Sequence, residues 1–270
     1  MDSRGNRSSI SALVITKNEE RNIVKCLSTL SWVDELIVVD AQSTDGTVTL
    51  AKDFTSKVFV KPWSGFGPQK NFGIQQAQGA WILIVDADER VTSELRDEIK
   101  QCLCSSLPPD VKGFRISRKN YFYGYWLRYG GTYPDFQLRL FLKTAGRYND
   151  TLIHENLILE GALKDLEGSL EHHSTPTIAH HIRKMKQYTS LAAREKLKSI
   201  SKVTYYNLLG NHVGTFVKTL ILRGGWRDGL PGLIFAMFAA LHTFVKYVKA
   251  YEILQQNSPK KVTGYVTNRV

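Results

Sequence analysis

Two carboxylates two residues apart, Asp86 and Asp88, close an unbroken apolar run, Trp81-Ile82-Leu83-Ile84-Val85. Such a run reads as a strand covered on both faces, because a half-exposed strand alternates apolar with polar residues. At the carboxyl end of a buried parallel strand, where open α/β sheets bind ligands, alternate carboxylates can converge on one hard cation, and a cation there can hold a diphosphate. The same residues also suit a turn that caps a helix beginning near Thr92, so the spacing alone does not decide. Asn18-Glu19-Glu20 and Asp40 also stand at expected strand ends, and in a parallel sheet these ends share an edge with Asp86 and Asp88. Asp40 suits a base or ribose donor group. Further along, Asp135, Gln137 and Arg139 share one face of a strand at period two, where they can position a phosphate or an acceptor; Arg139 equally suits a structural ion pair.

The elements that must position these groups alternate. Ser11 to Lys17 is a strand and Asn18 opens a helix running to about Leu30; Asp34 to Asp40 is a second strand, and the turn and cap cluster Ser43-Thr44-Asp45-Gly46-Thr47 opens a helix to Asp53. Lys57 to Lys61 is a third strand, Gly65 to Pro68 a loop, Gln69 to Gln78 a helix, and Ala80 to Val85 the fourth strand. Strands alternating with helices of this length call for right-handed crossovers and a mostly parallel central sheet, an α/β fold. Thr92 to Cys104 is an amphipathic helix that Pro108-Pro109 closes. Residues 111 to 173 read as mixed short strands and loops dense in aromatics, which either wall an acceptor cleft or fill core and edge positions. After Pro176 the chain turns helical, at Ile178 to Ser201, Tyr205 to Leu222 and Pro231 to Leu254. The expected division is a catalytic domain over residues 8–174 and a helical C-terminal extension over 175–270.

Lys and Arg exceed Asp and Glu by 36 to 25, so some face of the protein should meet anions. Composition alone leaves nucleic acid, acidic lipid and phosphorylated substrates open. The excess is uneven: from Ile182 onward the only acids are Glu195, Asp228 and Glu252. Cys26, Cys102 and Cys104 have neither a paired framework nor C-x-x-C spacing, which fits free thiols in a reducing compartment. The polar start MDSRGNRSS lacks the apolar core of a signal peptide, and the expected location is inside the cell. No G-x-G-x-x-G follows the first strand and no phosphate-loop motif occurs, so a metal-held nucleotide diphosphate fits better than a dinucleotide.

Four motifs, in this order and spacing, resemble glycosyltransferase family 2: Val14-Ile15-Thr16-Lys17-Asn18-Glu19-Glu20, Val39-Asp40 with Ser43-Thr44-Asp45-Gly46-Thr47, Gly67-Pro68-Gln69-Lys70-Asn71, and Asp86-Ala87-Asp88-Glu89. The second half is similar to the lipopolysaccharide core β-glucosyltransferase subgroup at Tyr133 to Phe141, His154-Glu155 and Gly225-Trp226-Arg227-Asp228-Gly229. The resemblance covers nearly the whole chain. Ala41-Gln42 departs from the small polar residues usual there, which bears on the donor's surroundings without removing a charge.

The resemblance implies a GT-A nucleotide-sugar-binding fold and an inverting transfer of a hexose, by resemblance glucose from UDP-glucose, to a saccharide or lipid-linked acceptor. It implies a divalent metal ion, Mg²⁺ or Mn²⁺, on Asp88 and Asp86, and Thr16, Asn18, Glu19, Asp40, Asp45, Lys70, Asp86, Gln137 and Arg139 around the donor. Asp135 is the first choice of base for the acceptor hydroxyl and Glu155 the second. His172 and His173 fall where some GT-A enzymes place a histidine on the metal, and His173 is the assigned ligand. The implied partners are the donor, the acceptor and the cytoplasmic membrane surface, with no nucleic acid. Leu230 to Val245, apolar and followed by Lys246 and Lys249, is slightly short for a span and is expected to lie in the interface, peripheral to the inner face of the membrane; burial against the catalytic domain is the alternative. A phosphohydrolase using the first aspartate, and a non-catalytic sugar-binding scaffold, are the rival readings.

Overall fold

The computed structural model describes residues 8–149 and 157–257 of the chain. It forms two compact units, one of residues up to Arg128 with Thr132–Ser174, the other of Tyr129–Gly131 with the chain from Thr175 onward.

The first unit is built on the apolar runs read above. Strands β1 (Ile10–Thr16), β2 (Glu35–Asp40), β3 (Val58–Val60) and β4 (Trp81–Asp86) pair in parallel in the order β3-β2-β1-β4. Every residue of β1 is buried, as is β4 up to Val85, because helices cover both faces. On one face Ile23, Cys26 and Leu27 of α1 (Ile23–Ser28), Ala51 of α2 (Thr47–Lys52) and Leu95, Ile99 and Leu103 of α4 (Ser93–Cys104) pack on Val14, Val38, Leu83 and Val85. On the other, Ile74 of α3 (Phe66–Gln76) packs on Leu13, Ile37, Ile82 and Ile84. Each fully buried Ile or Leu contributes about 1.5–3 kcal/mol, so these runs, and not local propensity, fix the sheet.

Beyond β4 the sheet continues through β8 (Phe136–Leu142), which is antiparallel to both β4 and β6 (Val111–Phe122), then β11 (Ala162–Thr175) and β5 (Glu89–Val91), which pair antiparallel with each other, with β7 (Tyr125–Trp126) on β6 and a separate β9 (Gly146–Tyr148) and β10 (Leu157–Leu159) pair. The expected short strands over 111–173 are therefore corrected: β6 has 12 residues and β11 has 14. Helix α3 begins at Phe66, earlier than expected, because Pro68 sits in the first turn, where its missing N–H costs nothing. Thr92 caps α4 as read, accepting the Leu95 N–H. All three cysteines are free thiols.

The second unit contains α5 (Ile178–Leu197), α6 (Asn211–Val217), which is extended on either side by π-helical turns at Tyr206–Gly210 and Lys218–Leu222, and α7 (Gly229–Asn257). The Gly-Trp-Arg-Asp-Gly motif is the tight turn into α7: Gly224 and Gly229 take φ of 67° and 64°, and a Cβ at Gly232 would stand 1.9 Å from the Gly225 carbonyl oxygen. The stretch Gly225–Gln256 is long and apolar enough to cross a membrane by length and composition.

Gly168 of β11 lies against α4, and a Cβ there would meet the Leu95 Cα at 2.5 Å. Gly168→Ala should cost about 1–3 kcal/mol by overpacking, read as a lowered thermal midpoint; an unchanged midpoint would contradict this contact.

Candidate active site

At the carboxyl end of β4 the structure assembles a continuous chain of polar groups. Arg139, on the neighbouring β8, is 5% exposed, and its Nη2 donates to Asp86 Oδ2 and to Glu89 Oε1, each at 2.5 Å. Glu89 is fully buried, and its Oε2 accepts the Asp86 backbone N–H at 2.9 Å. Arg118 of β6 lies 3.5 Å from Glu89 Oε1 and donates to Asp135 Oδ2 through Nε and Nη2 at 2.9 and 2.6 Å. Gln137 donates to Asp135 Oδ1 at 2.9 Å, and Asn120 donates to Asp135 Oδ2 at 3.2 Å. Asn120 Oδ1 is 2.6 Å from His172 Nδ1, and His172 Nε2 is 3.5 Å from Asp88 Oδ2.

Burial raises the cost of charging Asp86, but Arg139 and Lys70 outweigh it and hold the carboxyl well below the usual range. For Glu89 burial wins: its pKa is raised despite Arg139. Asp135 is half-buried, yet Arg118, Gln137 and Asn120 lower its pKa and keep it ionised.

The structure places the remaining sequence-derived residues unevenly. Thr16 ends β1 with a buried Oγ1 that has no hydrogen-bond partner among the described residues, and Lys70 of α3 is 5% exposed, its Nζ 4.8 Å from the Tyr148 ring centroid. Asn18, Glu19 and Asp45 tie the loops after β1 and β2 together: Asn18 Oδ1 accepts the Thr44 N–H, Thr47 Oγ1 accepts the Glu19 N–H, and Asp45 caps Thr47. Asp40 needs correction as a direct donor contact. It is 0% exposed, and its two oxygens accept the N–H and Oγ–H of Ser43. Arg139 also lies inside, as the ion-pair partner, so it does not offer its guanidinium to a free phosphate. Glu155 lies outside the described residues.

His173 is the second correction. Its Nε2 accepts from Arg90 Nη1 at 2.9 Å, its ring stacks on Tyr121 with centroids 4.6 Å apart, and burial and then Arg90 lower its pKa. That nitrogen is taken, and the histidine brought to Asp88 is His172. Asn120 Nδ2 donates to the Thr132 carbonyl as well as to Asp135, which fixes its Oδ1 as the acceptor and makes His172 Nδ1 the donor. The other ring nitrogen, Nε2, faces Asp88, and a ring held from Nδ1 by an outer hydrogen bond has the orientation a metal-binding imidazole needs. Glu89, Arg118 and Asn120 were also missed, although Arg118 and Asn120 alternate along an expected strand segment.

Among the described residues no group of three or more His, Cys, Asp and Glu is placed to hold a metal ion by itself. A carboxylate and an imidazole that leave the other positions to ligand oxygens and water fit a divalent ion such as Mg²⁺ or Mn²⁺, which keeps waters and takes phosphate oxygens.

A half-parallel sheet whose carboxyl ends gather these groups below an acidic D-x-D turn defines a GT-A glycosyltransferase fold. The model of glycosyl transferase family 2 matches residues 11–150, and the chain belongs to that family. It is 31% identical over 90% of its length, and 92% of the relative's, to the lipopolysaccharide core biosynthesis glycosyltransferase LpsC of Rhizobium meliloti (strain 1021). It is 29% identical to an uncharacterised glycosyltransferase of Rickettsia typhi (strain ATCC VR-144 / Wilmington), over 90% of this chain and 87% of that one. Among solved structures, the mannosyltransferase PcManGT from Pyrobaculum calidifontis, in complex with GDP-Man and Mn²⁺, shares the fold with a TM-score of 0.53 at 16% identity, over 93% of this chain and 88% of that one.

Arg139→Met would leave Asp86 and Glu89 facing each other without their cation. The expected loss is about 3–5 kcal/mol of unfolding free energy in chemical denaturation, a large part of the roughly 5–15 kcal/mol a domain has. A loss under about 1 kcal/mol, the range of an exposed pair, would show that the ion pair does not hold the turn.

Proposed function

We propose that the protein is an inverting, metal-dependent hexosyltransferase that moves a sugar, glucose by preference, from a nucleotide-diphosphate donor to a saccharide or lipid-linked acceptor of lipopolysaccharide or a related envelope polysaccharide. It works on the cytoplasmic face of the membrane. The observation that carries this reading is the meeting of Asp88 with His172 Nε2, 3.5 Å apart, beside Asp86, which Arg139 keeps ionised. The resemblance to LpsC supports the acceptor class.

In this reading Asp88 and His172 would hold Mg²⁺ or Mn²⁺, with Asp86 beside them. The ion supplies charge neutralisation of the leaving diphosphate. Lys70, whose charge reaches Asp86, adds a fixed cation at the same edge of the sheet. The loops tied by Asn18, Glu19 and Asp45 shape the nucleoside end, and Thr16 offers a hydroxyl there. Asp40 contributes by holding Ser43. On the other side Asp135, kept ionised by Arg118 and oriented by Gln137, takes the proton of the acceptor hydroxyl as that oxygen attacks the sugar. Glu155 is the second candidate for this task.

Two experiments test the reading. Calorimetric titration of nucleotide sugars should show binding that needs Mn²⁺ or Mg²⁺. Asp88→Ala should abolish it, with transfer lost by several powers of ten at ~1.4 kcal/mol each and the thermal midpoint kept; near wild-type transfer would sink the metal assignment.

For the base, Asp135→Asn should spare donor binding and lower transfer by ~10²- to 10⁴-fold. Arg118→Gln gives the sign: removing that cation raises the Asp135 pKa, so the acid limb of kcat should move to higher pH. An acid limb that stays in place, together with loss of transfer in Glu155→Gln, would assign the proton to Glu155 instead.

A further inference from the structure

The helical unit is packed the opposite way round from the α/β unit. Its buried apolar residues are Ala193, Ala236, Ala240, Tyr247 and Ala250, four alanines of five, while 17 large apolar side chains between Ile178 and Tyr251 are exposed. A bundle stabilised by water exclusion puts its large side chains inside. Small residues between helices and large ones outside is the arrangement of helices that pack within lipid.

The exposed set is ordered. Tyr205, Leu209, Val213, Val217 and Ile221 recur every four residues and are 87%, 59%, 56%, 37% and 57% exposed. In an α-helix a four-residue step overshoots one turn of 3.6 residues. In the wider π turns at Tyr206–Gly210 and Lys218–Leu222 it falls short. The two deviations offset each other and keep the five side chains along one side. The other side is fixed on α7 by His212 Nδ1 at 2.9 Å from the Ala240 carbonyl and by Thr215 Oγ1 at 3.2 Å from Thr243 Oγ1.

We infer that this stripe, Tyr205 to Ile221, is the surface by which the protein seats in the interface of an anionic lipid bilayer. The inference rests on the membrane part of the proposed function and goes beyond it by assigning the contact to the segment before α7. Charge selects the partner. From Thr175 to Asn257 the chain has 12 Lys and Arg against three acids, so a second copy of the same surface would meet strong like-charge repulsion, whereas acidic headgroups are attracted. Charge also sets the orientation. Lys202 precedes the stripe and Lys218, Arg223 and Arg227 lie at its far end, so an upright insertion would carry cations into hydrocarbon, while a helix lying flat leaves both ends among headgroups.

The test is co-sedimentation of the full chain with vesicles of phosphatidylcholine alone or mixed with phosphatidylglycerol. Val213→Asp/Val217→Asp changes exposed positions, so circular dichroism, thermal midpoint and nucleotide-sugar binding should stay as in wild type. Its partition onto anionic vesicles should fall at least about tenfold, the effect of ~1.4 kcal/mol. Val60→Asp, at an equally apolar position 56% exposed in the α/β unit, should bind vesicles like wild type. Equal vesicle binding by wild type and the double variant overturns the stripe but leaves membrane attachment standing. Wild type that binds no vesicles overturns both without touching the transferase assignment. A self-associating wild type made monomeric by the double variant, with no vesicle binding, makes a second copy the occupant and overturns the inference.

Discussion

The buried guanidinium of Arg139 is the constraint on which the catalytic edge depends. A cation at 5% exposure is tolerable only if carboxylates pair with it, and its two carboxylates, both on Nη2, come from the last residue of β4 and the first of β5. Between them stand Ala87 and Asp88, so one ion pair pins the whole acidic turn to β8. The pinning passes to β11 through the sheet: His172 pairs with Glu89 in register, and the Asp88 carbonyl accepts the His173 N–H at 2.9 Å. Asp88 and His172 meet because strand register brings them together. By contrast the exposed Arg96–Asp97 bridge has a comparable distance, 2.8 Å, and holds nothing in place.

That dependence explains which parts were legible. The apolar runs of β1, β2 and β4 and the carboxylates after them can be read directly, because burial on both faces leaves a mark in composition. The choice between His172 and His173 cannot. Successive residues of a strand point to opposite faces, so a one-residue shift of β11 against β5 exchanges the two rings, and register is set by contacts more than 80 residues apart in the chain, as between Glu89 and His172. Asp40 was misread for a different reason. A carboxylate at a strand end looks the same in sequence whether it meets a ligand or closes a turn on Ser43, and only its zero exposure tells them apart. The aromatics of 111–173 hid two long strands, since rings suit edges, cores and clefts alike.

The two units solve the same problem by different means. In the α/β unit large side chains such as Phe114, Phe141, Leu13 and Ile84 are fully buried. In the helical unit Gly225 and Gly232 allow the turn into α7 to close on backbone, and the fully buried apolar positions are mostly alanines. At roughly 25 cal/mol per Å² such a core contributes little in water, so the large outward side chains carry most of the hydrophobic energy still available to that unit.

Charge balance at the catalytic edge shows what the proposed reaction still requires. Asp86, Glu89 and Asp135 share two arginines, Arg139 and Arg118, both already committed to those carboxylates by direct contact. Asp88 adds a further carboxylate beside His172, whose Nε2 lies 3.5 Å away. A diphosphate approaching this edge meets carboxylates whose arginine counter-charges are turned inward. On the proposed reading the same Arg139 that makes the acidic turn rigid spends its charge on that turn, and Asp88 and His172 would hold a divalent ion that would supply the positive charge a diphosphate needs.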